Sequence, residues 1–254
     1  MSDKTKRILI GLVLLVLVSL FVFDLQLRRQ RKQDFRDSVI SKTIGGETGL
    51  ALKAADPAAY GRLEEKLHAA IDRHLQAGGA TDAYGQAAVA QEIGPEIDIV
   101  AGRYMVKGSD EAILSLFSAT ADLLDQANRQ PTRNCIDLLE TPYSIVRKKS
   151  ESLDLGAMDC AVAQAIRSYR AERSIPTASE VAAAGESLGD YLLQQYGEEA
   201  QEVMNAEPAK LDPARQRQYC EMTIGAMRHL VSRREAALLR RMLADADAEE
   251  GGEE

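Results

Sequence analysis

A chain of 254 residues, 45% hydrophobic and 28% charged, is long enough for one large domain or two small ones, and that balance excludes wholesale disorder and collagen-like order. A formal charge of −8 argues against nucleic-acid binding as the main task. Aromatics are only 5% and Trp is absent, so a core has to be built from Ala, Leu, Ile, Val and Met.

Residues 1–7 form a short basic tail. Between Ile8 and Phe23, every residue except Gly11 and Ser19 is Ile, Leu, Val or Phe. Each contributes about −0.3 to −0.6 kcal/mol near a helix centre, so the run favours insertion by roughly −4 to −8 kcal/mol. As a helix it spans roughly 24 Å against a hydrocarbon core of ~30 Å. Leu25 and Leu27 extend it, and Lys6, Arg7, Arg28 and Arg29 can snorkel outward. No A-x-A-like cleavage site follows, so a single-pass, uncleaved transmembrane helix is expected over 8–27. Basic residues flank both ends, with Arg31 and Lys32 adding to the C-terminal side. A short basic tail resists translocation and long domains cross largely regardless of charge. The expectation is therefore an inner (plasma) membrane protein whose C-terminal domain is periplasmic or otherwise extracytoplasmic. Residues 28–55 read as a basic juxtamembrane stalk, with Gly45-Gly46-Glu47-Thr48-Gly49 as a linker.

From residue 56 the pattern is helical. Asp56-Pro57 is a cap with proline at the first helical position, and Leu63, Leu67, Ile71 and Leu75 recur at spacing four. Gly78-Gly79 ends that helix. A second stretch, about 82–106, is expected to break near Gly94-Pro95. A third starts at Ser109 with Asp110 and Glu111 in its first turn. Pro131 and Thr132 open a short helix through Leu139, and 152–173 reads as a longer one. Another runs from Pro176 to about Gln195, and Asp212-Pro213 starts one reaching about Val231. Ser232-Arg233-Arg234-Glu235 reads as a capping box for the last helix. No run of alternating β-branched residues suggests a strand. The expected fold is all-α: the transmembrane helix plus a globular bundle of seven or eight helices over 56–243. The tail 244–254, with six acids and no bases, reads as disordered.

Of three cysteines, Cys135 shares a helix face with Leu138 and Leu139, and Cys220 shares one with Ile224, Met227 and Val231. Cys160 points away from the stripe of Met158, Val162 and Ile166. Cys135 and Cys220 are thus the disulfide candidates; the alternative is that both are free, small core residues.

Catalytic signals are sparse. His68, His74 and His229 form no H-E-x-x-H, and Glu65-Lys66-Leu67-His68 lacks the second copy that a di-iron bundle requires. No metal, cofactor or nucleotide motif is present, and none is expected to bind. Gly185-Glu186-Ser187 resembles the Glu-Ser pair of helical lytic transglycosylases. That resemblance implies Glu186 as a general acid held protonated by an apolar cleft, although the expected downstream Gly-rich, Met-Gln segment is missing. Arg233, Arg234, Arg240 and Arg241 could make a phosphate or lipid site, and Arg233-Arg234 at a helix start implies an acidic neighbour. The reading favoured by the sequence is a membrane-anchored helical interaction or structural module of a bacterial-type cell envelope, in contact with the bilayer and a protein partner, with self-association open. The alternatives are a wall-acting lytic enzyme using Glu186 and a cytoplasmic-facing membrane scaffold.

Overall fold

The computed structural model describes residues 23, 26–27, 29–129, 134–140 and 153–250. Lys6, Arg7, Arg28 and nearly all of the apolar run 8–27 lie outside them. Among the described residues no helix is long and apolar enough to cross a membrane.

The described residues are helical, with no strand among them. The helices are α1 (29–43), α2 (Glu47–Ala55), α3 (Pro57–Gln76), α4 (Ala83–Met105), α5 (Asp110–Asn128), α6 (Asn134–Glu140), α7 (Gly156–Arg167), α8 (Ala178–Tyr196), α9 (Glu199–Met204), α10 (Pro213–Ser232) and α11 (Ala236–Glu250). A 3₁₀ turn covers Pro208–Lys210. The all-α expectation holds, but helices outnumber the seven or eight read from the sequence.

The starts follow from capping chemistry. Asp56, Asp82, Ser109, Thr177 and Asp212 each accept a backbone N–H of the following turn, relieving donors that have no partner within the helix. Thr177 and Glu180 complete a reciprocal capping box.

α5 is the axle. Nine of its residues are buried, on more than one side, as expected of a helix enclosed by others. Leu116 joins a core built from α1, α2, α3, α4 and α7. Ala121, Leu123, Leu124 and Ala127 pack on α6 and α10. Ile113, Leu114 and Phe117 pack on Leu230 of α10 and on Ala236 and Leu239 of α11. α8 lies outside this frame, with Val181 as its one buried residue.

Several sequence expectations are corrected. The part of the expected stalk and linker from Phe35 onward is packed: Phe35, Val39, Ile44, Ala51 and Leu52 are all at most 3% exposed and join the first core. The basic residues between 28 and 36 mask this apolar stripe. Gly49 is there for a close approach, since a Cβ on it would sit 1.8 Å from the carbonyl oxygen of Ile44. α4 runs unbroken through Pro95. Pro95 and Gln91 are both on the exposed side, where water can replace the hydrogen bond that proline removes.

The long helix expected over 152–173 is only Gly156–Arg167, because the N–H of Arg170 turns away to the carbonyl of Lys107. Ser232–Glu235 is no capping box but a helix end. Arg234 adopts φ 59°, its N–H donates to Val231, and the N–H of Glu235 donates to Leu230. That is a Schellman closure with arginine in the left-handed position that glycine usually takes. The backbone stays helical to Glu250, well into the acidic stretch read as disordered.

Candidate functional site

α6 is a short helix lying against α5 and α10, and its Cys135 is bonded to Cys220 of α10, with Cα atoms 6.3 Å apart. Both cysteines are at most 3% exposed, packed with Ala121, Leu124 and Ile224. This is the pair expected from helix faces, and Cys160 is free and exposed. The bond spans 85 residues, which corresponds to roughly 3–5 kcal/mol in the chain-entropy model.

The polar centre of the molecule is the turn between α4 and α5. Gly108 is required there, since a Cβ would come within 2.9 Å of the carbonyl oxygen of Ala165. The carbonyls at this helix end have no partner within α4. Arg240 of α11, only 3% exposed, supplies the donors: it reaches the oxygen of Val106 at 2.7 Å and that of Gly108 at 2.8 Å, and it pairs with Asp110. Arg173 and the N–H of Arg170 donate to Lys107 O, the Lys107 ammonium donates to Ala171 O, and Ser109 N donates to Ser168 Oγ. The sequence suggests Arg240 as part of a phosphate or lipid site with Arg233, Arg234 and Arg241. Its spacing was the missed signal, because Ala236, Leu239, Arg240 and Leu243 share one stripe.

Beside this turn lies a cleft of about 330 Å3 lined by Arg103, Val106, Lys107, Tyr169, Ile175 and Ala244. Behind its wall the Tyr169 ring packs on Tyr104, centroids 4.9 Å apart. Tyr104 donates its hydroxyl to Asp56, the N-cap of α3. Burial, reinforced by the hydrogen bond to Asp56, pushes the Tyr104 hydroxyl up to about 12. The hydrogen bond from Tyr104, then that from the Ala59 N–H, holds the Asp56 carboxyl below its usual value.

The other residues singled out from the sequence are dispersed. Glu186 lies on the exposed outer face of α8, between exposed Gly185 and Ser187. That placement gives no apolar cleft to desolvate its carboxyl. His74 stacks on Phe35 with centroids 5.5 Å apart and contacts Ala80 O at 2.8 Å, while His229 stacks on Tyr191 at 4.1 Å. Both have structural partners. His68 is exposed on α3. Among the described residues no group of His, Cys, Asp and Glu is placed to hold a metal ion. The arginine-rich segment does not form one site. Arg234 faces Glu111 at 3.5 Å, Arg241 pairs with Asp245, and Arg240 points inward. The acidic neighbour inferred for Arg233-Arg234 is thus Glu111. Arg29, Arg31 and Lys32 are exposed along the start of α1.

Comparison with known proteins finds no match: no family model fits the chain, and no curated protein or solved structure is significantly similar to it.

Proposed function

We propose that the protein is a membrane-anchored helical interaction module, held by the apolar run near its N-terminus, with its folded domain on the oxidising, extracytoplasmic side of a bacterial-type inner membrane. The observation that carries this reading is the buried Cys135–Cys220 bond. Such bonds persist in exported proteins and are rare where thiols are kept reduced. The bond favours the outward orientation over the cytoplasmic scaffold, a choice that the flanking charges leave nearly balanced. The exposed position of Glu186 gives the wall-enzyme reading no support. As an interaction module, the domain would act through its surface while α5 and the disulfide keep its shape.

Cys160 is exposed and free, which makes it a natural reporter of sidedness. Intact cells with a permeabilised outer membrane are treated with a membrane-impermeant maleimide. The expected outcome is labelling of Cys160 alone before reduction, and of all three cysteines after denaturing reduction. Three thiols that stay shielded until lysis and then react without reductant would overturn the proposal and favour the cytoplasmic scaffold.

A further inference from the structure

The basic groups around the α4–α5 turn differ from the others in the domain. Arg36, Arg73, Arg167, Arg215 and Arg228 each face a carboxylate on another helix. Around the turn, Lys107, Arg170 and Arg173 direct their donors to backbone carbonyls. A carbonyl accepts the hydrogen bond but leaves the cationic charge uncancelled. Bonding to carbonyls of the two neighbouring turns accounts for those three groups. It does not account for Arg103, which is exposed, lines the cleft and has no hydrogen-bond or carboxylate partner among the described residues.

The rest of the lining is of a different kind. Val106, Ile175 and Ala244 are apolar, and Tyr169 adds an aromatic ring with a hydroxyl. Its 330 Å3 falls at the small end of ligand sites, which combine apolar walls with a few converging polar groups. A guanidinium is well suited to a planar or tetrahedral oxyanion, which it can hold with two parallel hydrogen bonds. In a chain of net charge −8, the cleft lining holds two basic side chains, Arg103 and Lys107, and no carboxylate.

We propose that this cleft binds a small oxyanion ligand, a phosphate or carboxylate carried on a compact apolar or aromatic body, with Arg103 as the principal anion contact. The oxyanion sits at the Arg103 guanidinium within the positive field of Lys107. The body packs against Val106, Ile175 and the Tyr169 ring. This inference is independent of which way the domain faces.

The test uses the full chain in a neutral detergent and phenyl phosphate as the probe, followed by ligand-observed saturation-transfer NMR, with empty micelles as the blank. Saturable binding on the order of 1 mM or tighter is expected, the range of a fragment-sized ligand. Arg103→Ala is expected to weaken it about tenfold or more, and Arg103→Lys to restore part of the loss. Both variants should keep the wild-type circular dichroism and melting curve, because Arg103 is exposed and its side chain holds no partner. Phenol, with the same ring and no charge at neutral pH, should bind more weakly. Absence of saturable binding, equal affinity in Arg103→Ala, or phenol binding as tightly as phenyl phosphate would each overturn the proposal. Micelles doped with phosphatidylglycerol identify the source of the anion. Displacement of the probe, sensitive to Arg103, supports a lipid headgroup as occupant; retained binding supports a soluble ligand.

Discussion

Truncating Arg240 to alanine tests whether the α4–α5 turn is the polar keystone of the domain. The guanidinium serves two backbone carbonyls, Val106 and Gly108, in residues that are themselves buried. A buried acceptor left without a donor costs about 1–3 kcal/mol, and loss of the packed aliphatic stem adds to that. For the two carbonyls that is about 2–6 kcal/mol before the stem is counted, and Val106 also lines the open cleft. Water can reach that side after truncation, which places the expected loss nearer about 3 kcal/mol. This is a large fraction of the ~5–15 kcal/mol that stabilises an ordinary domain. Asp110 provides the contrast, because its side chain is 65% exposed and can be resolvated when the pair is broken. Asp110→Asn should cost about 1 kcal/mol or less. Urea unfolding of the full chain in neutral detergent, read by circular dichroism, separates the two through their midpoints at unchanged slope. An Arg240→Ala midpoint matching wild type, or an Asp110→Asn loss equal to that of Arg240→Ala, would refute the argument that carbonyl satisfaction outweighs the ion pair.

Replacing both Cys135 and Cys220 by alanine should lower stability by roughly 3–5 kcal/mol through the 85-residue loop; an unchanged urea midpoint would refute it. Arg234→Gly should raise stability by about 0.5–1 kcal/mol, because the left-handed conformation at φ 59° costs arginine more than glycine and the Glu111 pair is fully at the surface. A lower melting temperature for that variant would contradict the strain argument. Tyr104→Phe should remove the tyrosinate step near about 12 and raise the Asp56 pKa. The Asp56 pKa is lower in the folded state, so its stabilising contribution is present above the ordinary carboxylate range and disappears as pH falls through the folded value. Without Tyr104 that contribution should be smaller and its loss complete at a higher pH, measurable by carboxyl NMR titration alongside acid unfolding. The Tyr104 pKa is higher in the folded state, so in wild type its contribution is complete below about 10 and is lost as pH rises through about 12.

The helix starts were legible because capping is local: Asp56, Ser109 and Asp212 lie beside the N–H groups they accept. The cysteine pairing was legible because helix faces follow from 100° per residue, and Cys135 and Cys220 point with the apolar residues while Cys160 does not. The failures have the opposite character. Gly45-Gly46-Glu47-Thr48-Gly49 looked like a linker because composition does not show that Gly49 admits the Ile44 carbonyl and Gly45 the Ser41 backbone at close range. Pro95 looked like a break because sequence alone does not say which side of α4 faces water. Arg240 was grouped with Arg233, Arg234 and Arg241 as a phosphate or lipid site because its partners lie more than 130 residues away at the α4–α5 turn. The cleft, assembled from α4, α11 and the segment after α7, has no contiguous motif to recognise.

The altered boundary has a mechanical consequence. Sequence composition puts the start of the folded domain at residue 56, whereas the packing puts it at Phe35. The side chains of Phe35, Val39, Ile44 and Leu52 are nearly inaccessible, and burying them contributes about 6–12 kcal/mol before the entropy of ordering residues 29–55 is subtracted. That is comparable with the net stability of a whole domain. Arg36 pairs with Asp72, Gln86 donates to Ser38 at 3.1 Å, and Arg167 pairs with Glu47, so the segment is also fastened to α3, α4 and α7. A swinging tether would need few buried contacts and solvated backbone. Residues 35–55 have neither property. Whatever fixes the start of α1 therefore also constrains the orientation of the core, because α1 is locked into that core from Phe35 onward rather than joined to it by a linker.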